Sequence, residues 1–197
     1  MRFSLFGTKI YVSFLFCATL SLMLATDRTG LVIPTLFAAL IHETGHLFAM
    51  WAADRAPKEI RLIPASVQII EKYGSVPKKQ VGIIISGPLA NIMISAAIFI
   101  NFYLTGSDVS LRFALLNAVI AAFNLLPVAG LDGGRLLELL LLRKTDSYTA
   151  NRTVNIITIV MACIIFVLGV FLIKRGDMNI SVFIVALYLA ICAVIKK

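Results

Sequence analysis

Six segments of this chain are long and apolar: about residues 10–25, 30–53, 81–104, 110–142, 153–173 and 178–195. A helix of about 20 such residues crosses a bilayer. The whole chain is 60% hydrophobic and only 14% charged, with a mean hydropathy of +0.96. Soluble domains carry about 25% charge, so there is too little polar surface here to coat a water-facing globule. Disordered, disulfide-rich and nucleic-acid-binding classes fall on the same ground. Cys17, Cys163 and Cys192 sit inside apolar runs and read as small buried hydrophobes. The net charge of +8 is spread over short connections, which suits lipid headgroups and not nucleic acid. The expectation is an all-α polytopic membrane protein: one transmembrane domain over residues 1–197 with about six helices.

Charge sets the expected orientation. Thirteen basic residues fall in the N-terminus, the second and fourth connections and the C-terminus, against four in the other three connections. The excess of Lys and Arg on cytoplasmic loops then places both termini in the cytoplasm. The one long connection, residues 54–80, contains Ala65-Ser66-Val67-Gln68-Ile69, which alternates like a half-buried strand. Two readings stand for it: an amphipathic loop on the membrane surface, or a small membrane-associated β segment. In the second, the edge around Val67 and Ile69 pairs with an extended peptide.

The fourth segment is too long for one straight crossing. Pro127 and Gly130 interrupt it, so a break is expected at 124–132. Broken backbone at membrane depth is tolerated only where protein or a watery cavity surrounds it. This is the first pointer to a site.

The second pointer is His42-Glu43-Thr44-Gly45-His46, which holds both histidines of the chain. Positions i and i+4 of a helix share a face, so two imidazoles can chelate one metal, with Glu43 beside them as a base. A catalytic zinc takes three protein ligands and keeps an open position. With no third histidine, the third ligand is expected from the acids of the fourth segment, Asp132 or Glu138. Asp132 lies about as far from its cytoplasmic end as the histidines do from theirs, roughly 12–17 Å at 1.5 Å per residue. Glu138 lies nearer the surface, so Asp132 is the expected ligand. A helix N-cap after the break is the alternative role for Asp132.

The His42–His46 motif, Asn124-x-x-Pro127 and Leu131-Asp132-Gly133-Gly134 together resemble the site-2 protease family of intramembrane zinc metalloproteases (peptidase family M50). The intervening Ser86-Gly87-Pro88-Leu89-Ala90-Asn91 is similar to that family's Gly-Pro-x-x-Asn pattern. The likeness is greatest to the sporulation branch that processes a pro-sigma factor, but without its CBS domain and without a PDZ domain. The resemblance implies a catalytic core of spans 2–4 in a multi-pass protein of the bacterial cytoplasmic membrane. It implies one Zn2+ per chain on His42, His46 and Asp132, with Glu43 as general base, and cleavage of membrane-spanning or membrane-associated substrates under a regulatory membrane partner. Asn124 is implied in substrate positioning; Asn91 either serves the site or bridges helices. A metal-ion or proton transporter using the same groups is the rival reading.

Overall fold

Apolar length becomes helix in this chain, and the short amphipathic stretches around it become a sheet. The computed structural model describes residues 2–5, 8–55, 57–63, 66–71, 77–174 and 180–195. In chain order the elements are β1 (Arg2–Leu5), β2 (Thr8–Val12), α1 (Phe14–Thr26), α2 (Val32–Ala52), β3 (Pro57–Ile63) and β4 (Ser66–Glu71). Then follow α3 (Pro77–Thr105), α4 (Asp108–Asn124), α5 (Asp132–Leu141), α6 (Ser147–Lys174) and α7 (Ile180–Ile195). Contacts divide the chain into two units, Met1–Ala122 and Phe123–Lys197.

In the first unit the four strands form one sheet in the order β1-β2-β3-β4. β2 runs parallel to β3, with Ile10 opposite Ile60, while the outer pairs are antiparallel. The sheet is larger than the expected single strand, and it corrects the first apolar segment. Residues 10–12 are strand, and helix begins only at Phe14. Ile10, Tyr11 and Val12 are β-branched or aromatic, suited to a pleated surface. Ser13 N–H donates to Leu62 O (3.0 Å), which holds the chain on β3 until α1 starts. Ala65 and the flanking residues 72–74 lie outside the described residues.

Among the described residues, three helices are long and apolar enough to cross a membrane: Val32–Ala52, Lys79–Thr105 and Ser147–Ile173. Phe14–Thr26 and Val182–Ala193 are shorter apolar helices. Exposure differs from that of a soluble protein. His42, His46, Asn91, Asn117, Asp132 and Thr158 are buried, while Phe14, Phe37, Trp51, Val119 and Val167 stand exposed. Polar groups inside and large apolar ones outside suit a hydrocarbon solvent.

The second unit has its own apolar core. Val128 and Leu131 pack with Ala162 of α6 and Leu189 of α7, with Phe123, Leu126 and Tyr188 around them.

Candidate metal centre

In the first unit, α2 carries the two imidazoles. Pro34 falls in its first turn, where a missing N–H costs nothing. The turn into it is closed by Asp27, whose carboxylate accepts from the N–H groups of Thr29 and Gly30 before the helix and of Val32 at its start, at 2.9, 2.9 and 3.0 Å. Those bonds, that to Val32 first, hold the Asp27 carboxyl below the usual range.

Ala38, His42, His46 and Met50 form the buried face of α2, at a spacing of four. The two histidine Nε2 atoms stand 3.2 Å apart. His46 Nδ1 lies 2.7 Å from Ile83 O of α3. A carbonyl only accepts, so Nδ1 carries the hydrogen and the Nε2 lone pair faces His42.

Small residues make this contact possible. A Cβ on Gly87 would overlap the His46 ring, and one on Gly45 would stand 2.6 Å from Ser86 O. The helices α2 and α3 therefore meet backbone to backbone here, as small residues permit. Pro88 lies one residue on in α3, buried, and its missing N–H leaves the carbonyl four residues earlier without a helical donor. One turn before His42, Asn91 Nδ2 donates to Ala38 O (3.2 Å) with its side chain fully buried. Asn91 is thus a bridge between α2 and α3. Glu43, next to His42, is half-buried.

In the second unit, α4 ends at Asn124 and α5 starts at Asp132. Between them the chain turns tightly. Leu126 N–H donates to Phe123 O (3.1 Å), and Leu131 N–H to Val128 O (3.1 Å). Gly130 has φ +91°, a conformation that suits glycine. A Cβ on Gly133 would run into the carbonyls of Leu125 and Leu126, and one on Gly134 into that of Val128. The Asp-Gly-Gly sequence is therefore what lets the turn fold back on the first turn of α5. Asp132 is 8% exposed and occupies the first helical position, after the N-cap Leu131. It is not the N-cap itself. A carboxylate there also meets the positive end of the helix dipole. Glu138, two turns later, is half-buried.

Sequence reasoning missed Thr158. Its hydroxyl, fully buried on α6, accepts the Ala129 N–H (2.8 Å) and donates to Val154 O (2.8 Å). A threonine in an apolar helix is the only signal it leaves in the sequence. Val67 and Ile69 lie on β4, opposite Leu62 and Ile60 of β3; their side chains fall outside the described residues. Asn124 closes α4 and is half-buried.

The histidine pair suits a zinc ion. Two nitrogens bound to one tetrahedral zinc at 2.0–2.1 Å lie about 3.3–3.4 Å apart, close to the 3.2 Å between these Nε2 atoms. An Nδ1–H fixed by a backbone carbonyl is the usual support of a ligating histidine. A donor set of two imidazoles and a carboxylate is compatible with Zn2+.

Several known proteins are similar to this chain. The family model described as peptidase family M50 matches residues 106–168, from before α4 into α6. Stage IV sporulation protein FB of Bacillus subtilis is 29% identical over 196 residues, covering 93% of this chain and 64% of that protein. A zinc metalloprotease of Methanocaldococcus jannaschii is 25% identical over 191 residues, covering 91% of this chain and 54% of that one. The chain thus spans less than two thirds of either relative. The fold is similar to that of the site-2 protease from Methanocaldococcus jannaschii, with a TM-score of 0.73 at 23% identity, over 100% of this chain and 94% of that one. The peptidase M50 model spans the break between α4 and α5 and Asp132 after it.

Proposed function

We propose that this chain is a zinc metalloendopeptidase that cuts membrane-spanning or membrane-associated substrates in or near the bilayer. His42, His46 and Asp132 hold one Zn2+, and Glu43 is the general base. The observation that carries the reading is the buried His42–His46 pair, with Nε2 atoms 3.2 Å apart and His46 locked by Ile83 O. Two buried imidazoles facing one another are costly in an apolar helix unless something shares their lone pairs.

Bound zinc would supply Lewis acidity, for the water and for the scissile carbonyl. Glu43 takes a proton from the water as its oxygen bonds to the carbonyl carbon, and returns that proton to the leaving amine as the C–N bond breaks. Ile83 O keeps His46 in one tautomer throughout. Asn124 positions the substrate carbonyl. A helical substrate hides its carbonyls in internal bonds and must be locally extended to be cut. β4, at one end of the sheet order, offers an edge for it near Val67 and Ile69.

The same reading makes the chain a single multi-pass domain of a bacterial cytoplasmic membrane, with both termini cytoplasmic. Its substrate would be a membrane-associated regulator such as a pro-sigma or anti-sigma factor, under a regulatory membrane partner.

The test uses purified protein in detergent with a candidate regulator as substrate. Glu43→Gln is nearly isosteric but cannot take the proton, so cleavage should fall by at least about 10²-fold with zinc retained. Asp132→Ala should lower zinc below one per chain, while Glu138→Ala keeps it. Wild-type cleavage by Glu43→Gln, or metal flux in proteoliposomes with no cleavage, would overturn the reading.

A further inference from the structure

Two clefts on the first unit meet at one arginine. The larger, about 680 Å³, runs between α2, α3 and α4 past Pro34, Phe37 and Ile98. The smaller, about 440 Å³, follows α4 past Leu115 and Val119. Both are lined by Thr29, Leu31, Arg112 and Leu116. Two apolar branches thus diverge from a shared polar head. Beside it, on the wall of the larger cleft alone, Ser110 Oγ donates to Asn101 Oδ1 (3.1 Å).

Arg112 is, among the described residues, the one charged side chain lining either cleft. It is exposed, and among those residues its guanidinium makes no hydrogen bond or ion pair. Its place on α4 explains the geometry. Arg112, Leu115 or Leu116, and Val119 recur at helical spacing, so the charge stands at the top of an apolar stripe. Two walls of the larger cleft, α3 and α4, are tied at two levels, by the Gly106 turn and by Ser95 Oγ donating to Ala114 O (2.8 Å).

We propose that this paired cleft binds an anionic diacyl phospholipid, with its phosphate on Arg112 and one acyl chain in each branch. A planar guanidinium recognises phosphate oxygens through two parallel bonds. The two branches match two chains joined at one headgroup. An anionic headgroup leaves the arginine charge balanced, whereas a choline headgroup brings its own cation. The site is separate from the histidine pair and does not depend on the protease reading.

The experiment uses the full chain, delipidated in neutral detergent and titrated with phosphatidylglycerol or phosphatidylcholine, with bound lipid counted by native mass spectrometry. Phosphatidylglycerol should bind at about one per chain and about tenfold tighter than phosphatidylcholine. Arg112→Gln should erase that preference, and Arg112→Lys should keep part of it, since charge remains but the fork is lost. Leu116→Trp should weaken both lipids by filling the shared wall with the arginine intact. Inorganic phosphate at equal concentration should not displace the lipid. Equal binding of the two lipids by wild type, or an unchanged preference in Arg112→Gln, would overturn the proposal. So would displacement by phosphate alone, or by an apolar helical peptide in preference to phosphatidylglycerol.

Discussion

The histidine half and the aspartate half of the candidate centre are built by different means. His42 and His46 ride on an uninterrupted helix, and their spacing of four alone puts them on one face. Asp132 opens a short helix after a backbone break, and its place depends on turns, two glycines and a threonine from another helix. The first half is set by periodicity, the second by close backbone contact. A methyl group added to each half should therefore do different damage.

The largest effect is expected at Gly133 and Gly134. Alanine there meets backbone carbonyls of residues 125–128, and backbone cannot swing aside. Either substitution should cost roughly 4 kcal/mol or more, in the range of the most damaging point changes, and remove folded protein. Gly87→Ala instead meets the His46 ring. It should lower zinc content while leaving thermal unfolding in detergent much closer to wild type. Gly82 has nothing within 4 Å of a Cβ, so Gly82→Ala is the control and should gain about 0.5–1 kcal/mol as a helical residue. If Gly87→Ala unfolds the protein as Gly134→Ala does, the two halves do not differ in the way described.

A smaller effect sharpens the account of the break. Thr158→Val keeps the side-chain shape but strips Ala129 N–H of its acceptor. An unsatisfied buried donor costs about 1–3 kcal/mol. Thr158→Ser restores the hydroxyl and should recover most of the loss, apart from the missing methyl. Thermal unfolding and zinc content of the two variants check this. Equal loss in both would mean that packing of the methyl, and not the hydrogen bond, holds the turn.

How much could be read in advance follows the same division. The buried helix face with His42 and His46 is written in a spacing of four, and the interruption before Asp132 in Pro127 and Gly130. The sheet was largely hidden. β2 pairs with β3 across some 50 residues of chain, and nothing local in Thr8–Val12 announces a parallel partner. Its apolar residues merged with those of α1 into one apparent span. Thr158 was hidden for a similar reason, since its partner lies 29 residues away and is a backbone N–H. Asn91 carried two readings that sequence could not separate; its amide donates to Ala38 O and so joins α3 to α2.

The smallest expected effect concerns how the two helices that carry the candidate ligands begin. α5 follows its N-cap Leu131 with no side-chain cap, whereas the turn into α2 is closed by Asp27. Oδ1 of Asp27 accepts from Thr29 and Gly30, and Oδ2 from Val32. These bonds favour the ionised carboxylate and lower its folded-state value. A depressed folded value stabilises the protein at pH above the unfolded value, about 3.9, and the gain is lost as pH falls through the folded one. Asp27→Asn keeps one acceptor oxygen, so it should retain part of the turn and lose its dependence on acid. Wild type should therefore unfold at a slightly higher temperature than Asp27→Asn at pH 7, and the gap should close as pH drops below about 4. The group is only half-buried, so solvent screens its charge; the gap should be small and should not alter zinc content. A gap that stays constant from pH 7 to pH 3 would show that the amide weakens the turn for steric reasons, and that the charge of Asp27 contributes nothing to the start of α2.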